Sequence, residues 1–172
     1  MAALLISMTA GAVALMALGN NPPSAGPFCL VNYYRLEPVT GVIASRAVQR
    51  PERWDSIEVY YSGTAAGNVD QLAALAGLHS TDEVNFHFCI CNGLGGKDGQ
   101  IQATERWNRQ WSIAPGRTRR ASERTIRICV IADGRNRRPT NCQLRRLQAL
   151  VEILSRTFEI RPEAIYYPGD WN

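Results

Sequence analysis

Lysine is almost missing from this chain. Of nineteen basic residues, Lys97 is the one lysine and the rest are arginines. Histidine is limited to His79 and His87, which leaves few imidazoles for a metal or acid–base site. No charged side chain occurs before Arg35. The five cysteines, Cys29, Cys89, Cys91, Cys129 and Cys142, contain no C-x-x-C pair, so neither a zinc ribbon nor a dithiol redox motif is indicated. Internal repeats and low-complexity tracts are lacking too. What is present suits a folded protein: 172 residues, 45% hydrophobic and 20% charged, room for one domain with a real core.

The arginines are concentrated. Between Arg106 and Arg146 twelve of them face only Glu123 and Asp133, a local excess of +10 in a chain of net charge +4. Such density favours an anionic counterpart: lipid headgroups, wall carboxylates, an acidic protein surface or nucleic acid. An apolar N-terminus argues against nucleic acid. Residues 2–19 (AALLISMTAGAVALMALG) would make about 27 Å of helix, the lower limit for a membrane span. A removable signal segment is the rival reading, but the basic n-region is missing and a retained anchor is favoured. The rest of the chain is then expected on the extracytoplasmic side of an envelope. Asn20 to Pro27 (NNPPSAGP) cannot continue a helix and reads as a linker, followed by an irregular extension to residue 52 with one candidate strand, Cys29 to Tyr34.

From residue 53 onward strands and helices alternate. Ser56 to Tyr61 (SIEVYY) puts Ile57, Val59 and Tyr61 on one face and Glu58 and Tyr60 on the other. Asn68 caps a helix with Gln71 three residues on, and Leu72, Leu75 and His79 follow at helical spacing. His79 reads as a helix-end residue favoured by the dipole. Phe86 to Cys91 (FHFCIC) reads as a strand, with Phe86, Phe88 and Ile90 opposite His87, Cys89 and Cys91. Gly93 to Gly99 is a hairpin loop returning along Gln100 to Trp107. Thr125 to Ile131 (TIRICVI) is a third long strand. Thr140, with Gln143 at the third position, caps the longest helix, whose stripe is Leu144, Leu147, Val151, Leu154 and Phe158. The expected fold is α/β: a mixed central sheet flanked by helices, preceded by an N-terminal apolar helix. His87, Cys89 and Cys91 on one strand face would offer three metal donors, but a packed face beneath a helix accounts for them more simply. Cys129 on a neighbouring strand leaves a disulfide with Cys89 or Cys91 open.

In order along the chain, WDSIEVYYSGT, VNFHFCICNGLGGKDGQI with ATERWNRQW, TIRICVIAD, RPTNCQLRRLQALVEIL and IRPEAIYYPGD make a pattern. It resembles the zinc-dependent N-acetylmuramoyl-L-alanine amidases, the fold shared with peptidoglycan recognition proteins and phage amidases. The resemblance implies an amidase-like domain over residues 53–172 and, for an active member, a zinc ion held by three side chains with water in the open position. This chain departs from it at the chemistry. The resemblance places the first ligand, a histidine, at Tyr60, and the second at or beside Pro168. The tyrosine that assists catalysis corresponds to Phe86. A phenol titrating near 10 does not replace a neutral imidazole, and proline has no donor atom. No catalytic residue and no metal are therefore expected.

The reading is a membrane-anchored, non-catalytic domain of the cell envelope. It either binds peptidoglycan or muropeptides or serves as a structural subunit of a membrane complex, its Arg106–Arg146 stretch meeting an anionic surface. An active amidase is the alternative. The candidate groove is Tyr60, Tyr61, Trp107, Arg109 and Tyr167, since flat aromatics suit sugar faces and arginine suits stem-peptide carboxylates. Ordinary packing is the competing account of Trp107 and Trp111.

Overall fold

A computed structural model describes residues 36–114, 122–134 and 136–169. The expected N-terminal helix, linker and strand up to residue 34 lie outside the described residues. Within the described residues, no helix is long and apolar enough to cross a membrane.

Five strands form one sheet in the order β3-β2-β4-β1-β5. They are β1 (Ser56–Tyr61), β2 (Phe88–Ile90), β3 (Ile101–Ala103), β4 (Thr125–Val130) and β5 (Ile165–Tyr166). All neighbours run parallel except β2 and β3, which the Gly93–Gly99 loop joins as an antiparallel pair. β4 sits at the centre and is buried at every position except the half-buried Arg127, as suits a strand covered from both sides. The described residues also form four α-helices: α1 (Val39–Val42), α2 (Val69–Leu75), α3 (Glu105–Asn108) and α4 (Asn141–Phe158). The mixed sheet flanked by helices is the α/β architecture expected.

Strand alternation builds two cores. Ile57, Val59, Phe88, Ile90, Ile126, Ile128 and Val130 project to one face, where Leu147, Leu150, Leu154 and Phe158 of α4 close over them. Cys89, Cys129 and Ile131 project to the other, beneath Ala73 of α2 and beside Phe86 and Val84. The α4 stripe is wider than its leucine spacing suggests. Cys142, Gln143, Arg146 and Leu150 are buried as well, while Leu144 is only half-buried. Gln143 is buried because its amide bonds the carbonyls of Ile90 (2.9 Å) and Ile131 (3.1 Å), which ties the start of α4 to the ends of β2 and β4. The Thr140–Gln143 capping box is complete. At α2 only half of the expected pair forms: Asn68 Oδ1 accepts from the Gln71 backbone N–H. Leu75 is 71% exposed and α2 stops there, so His79 lies in the loop beyond rather than at the helix end.

Three further expectations are corrected. FHFCIC is a strand only over Phe88–Ile90, because His87 turns to the α4 face. The return strand stops at Ala103, and Trp107 lies on the helical turn α3 instead. Residues 36–50, read as irregular extension, pack onto the domain: Val39 and Val42 enter the main core, and the Ile43 carbonyl accepts from Trp107 Nε1 at 3.0 Å.

Candidate functional site

The register of the sheet decides what surrounds Tyr60. It lies beside Cys129 of β4, Cys129 beside Cys89 of β2, and Cys89 beside Gln102 of β3, one row across four strands. Because the strands are in step, all four side chains share the α2 face. One step back along β1, Glu58 pairs with Arg127 of β4, and their side chains form a nearly buried ion pair at 2.7 Å. The Arg127 guanidinium also reaches the Asn85 carbonyl (3.2 Å) and stacks over the Tyr60 ring, 4.4 Å from its centroid. Burial drives the Tyr60 pKa well above its ordinary value, the Cys129 thiol adds to this, and Arg127 opposes it. The phenol is therefore neutral at any physiological pH. Cys89 is likewise pushed up, chiefly by hydrogen bonding with Cys129 and Cys91. Cys89, Cys91, Cys129 and Cys142 are buried, with no disulfide among them.

β5 pairs Ile57 with Ile165 and Glu58 with Tyr166. Continued two residues past its end, that register would set Pro168, the second position that the amidase resemblance gives to a zinc ligand, beside Tyr60. Their donors do not fit the metal. Tyr60 is a neutral phenol beneath a cation, burial and hydrogen bonding push the Cys89 thiol up, and Pro168 has no donor. Phe86 is buried in the α2-side core with an apolar ring. Among the described residues no group of three or more His, Cys, Asp or Glu is placed to hold a metal ion.

His87 is not a donor either. It does not share a face with Cys89 and Cys91; its ring meets Trp54 edge-on at 4.8 Å and Trp107 at 6.1 Å. Both ring nitrogens are committed. Nε2 pairs with the Trp111 carbonyl, and Nδ1 accepts from the Arg127 backbone N–H, each at 3.0 Å. Burial lowers its pKa to about 3.

The expected groove residues do not come together. Trp107 has no exposed surface and packs against Trp54, Phe88 and Phe158, so packing is its role and it leaves the groove set. Arg109 is exposed, pairs with Glu105 at 3.3 Å and lies over the Trp111 ring. It adjoins Gln110, which accepts from Trp54 Nε1 at the start of β1. Tyr60 lies further along that strand, near its end. Tyr61 is half-buried on the α4 face and Tyr167 is 42% exposed near the end of β5. Sequence reasoning missed Arg127, counted there only as part of a basic stretch. Its alternation with Cys129 in TIRICV was the available signal.

No protein-family model matches this chain, and no curated protein does. Among solved structures, the peptidoglycan recognition protein PGRP-Hd from Alvinella pompejana is similar at 16% identity and a TM-score of 0.44, covering 77% of this chain and 85% of that one. A point mutant of Drosophila PGRP-LB in complex with tracheal cytotoxin is similar at 16% identity and a TM-score of 0.46, covering 71% and 74%. Drosophila PGRP-SA is similar at 16% and 0.43, covering 72% and 73%. At these identities no residue role passes from them to this chain.

Proposed function

We propose that this domain is a non-hydrolytic, amidase-like binder of peptidoglycan fragments, held at the cell envelope by its apolar N-terminal segment. One observation supports the loss of hydrolysis above all. The place where the amidase resemblance puts the first zinc ligand holds a neutral phenol, capped by Arg127 and adjoining Cys129. A hydrolytic centre there would need an acidic, metal-bound water and donors to a developing oxyanion. Tyr60, Phe86 and Pro168 supply neither. What the same end of the sheet does offer is aromatic surface, Tyr61 and Tyr167, suited to stacking against sugar faces.

The test is sedimentation of the full-length protein, in mild nonionic detergent, with intact peptidoglycan sacculi. Protein in the pellet with no stem peptide released supports the proposal. Release of stem peptide would establish an active amidase. Protein left in solution, with no release, would favour the second role, a structural subunit of a membrane complex. Tyr167→Ala should weaken pelleting, whereas Arg109→Ala at the opposite end should not.

A further inference from the structure

β3 is an edge strand, and no other described strand pairs with its outer side. The pairs Cys91–Gln100 and His87–Thr104 are hydrogen-bonded between β2 and β3. In an antiparallel ladder the main-chain groups of alternate residues point inward, so those of Ile101 and Ala103 point away from β2. No backbone or side-chain hydrogen bond is made to these groups among the described residues. They line a cleft of about 530 Å³ that runs between α1 and α2. Unpaired strand edges of this kind are templates for adding a further strand.

The charge of the cleft is opposite to that of the protein. Among its lining residues the charged ones are Glu37, Asp70 and Glu105, with no arginine or lysine, in a chain of net charge +4. Glu105 is already paired with Arg46 and Arg109. Glu37 and Asp70 form no ion pair among the described residues. They also flank the edge on opposite sides. The Glu37 carbonyl is held by Arg146 of α4, whereas Asp70 lies in the first turn of α2 across the sheet. Successive side chains of an added strand point to opposite faces, so two adjacent residues would reach the two carboxylates.

We propose that the β3 edge docks an extended segment of a partner protein carrying two consecutive basic residues, which pairs with the main chain of Ile101 and Ala103 and sets its cations against Glu37 and Asp70. This interface is separate from the aromatic end of the sheet and does not depend on peptidoglycan binding.

The probe is a fluorescein-labelled peptide, Thr-Val-Arg-Arg-Val-Thr, with its Glu-Glu counterpart as control, titrated by fluorescence anisotropy against the full-length protein in mild detergent. Saturable binding to the Arg-Arg peptide alone, weakening as salt is raised, is expected. Asp70→Lys, at an exposed position, should weaken it by about fivefold or more. Ala103→Pro removes an N–H that β2 does not use, so the sheet should persist by circular dichroism while binding is lost. Both variants should still pellet with sacculi if the wild type does, which separates failure of this interface from failure of the proposed function. Equal binding of the two peptides, or affinity unchanged in Asp70→Lys, would overturn the proposal. So would self-association in sedimentation that Ala103→Pro abolishes and the peptide does not reverse, since the edge would then pair with a second copy.

Discussion

His87 should make the stability of this protein depend on pH in a way that one substitution removes. The imidazole is fully buried, accepts from the Arg127 N–H through Nδ1 and pairs with the Trp111 carbonyl through Nε2. A second proton would have to sit on Nδ1, facing another donor inside an aromatic shell. Burial therefore lowers its pKa from 6.5 to about 3, and the nearby Arg106, Arg53 and Arg127 push the same way. Between those two values the unfolded chain binds a proton that the folded one refuses. The contribution to stability is thus complete above pH 6.5 and is lost as pH falls towards 3, by up to about 1.4 kcal/mol per pH unit. At pH 4.5 the loss reaches about 2–3 kcal/mol, and over the whole window about 5 kcal/mol, comparable with the entire stability of a small domain. Urea unfolding followed by tryptophan fluorescence, at pH 7.5, 6.5, 5.5 and 4.5, measures it. His87→Gln should be less stable at pH 7.5 but show a shallower decline on acidification, while His79→Gln, at an exposed loop position, should keep the wild-type decline. An equal decline in His87→Gln and wild type would refute the argument.

Other substitutions test the remaining structure. Trp107→Ala should cost about 3–5 kcal/mol in urea unfolding, as for other large core aromatics, because the ring fills the space between Trp54, Phe88 and Phe158. Thr140→Ala should cost about 1 kcal/mol or somewhat more by the same assay. It removes the α4 cap together with the 2.6 Å bond from Thr140 Oγ1 to Asp98. Arg127→Met should lose about 3–5 kcal/mol by stranding the buried Glu58 carboxylate, and Arg127→Met with Glu58→Leu should recover much of that in thermal unfolding. Recovery absent from the double variant would mean that Arg127 matters mainly through the Asn85 carbonyl and the Tyr60 ring.

Several elements were legible because their cause is local. SIEVYY and TIRICV alternate, and alternation alone assigns Ile57, Val59, Ile126 and Ile128 to one face and Tyr60 and Cys129 to the other. Thr140 and Gln143 announce the start of α4 because a capping box needs only residues three apart.

What the tertiary structure decided depends on partners far along the chain. His87 left the face of Cys89 because its ring nitrogens meet the backbone of Arg127 and Trp111, which local alternation does not encode. Trp107 looked like a ligand platform until the core between β2 and α4 claimed it, and Val39 and Val42 joined that core from a stretch with no clear periodicity. Arg109 and Tyr60, both suited to a wall ligand by type, were set at opposite ends of β1 by the antiparallel turn of β3. Residue type and spacing settle which face a side chain takes within its own element. Which elements meet, and so which side chains share a site, is settled by burial and pairing across the whole chain.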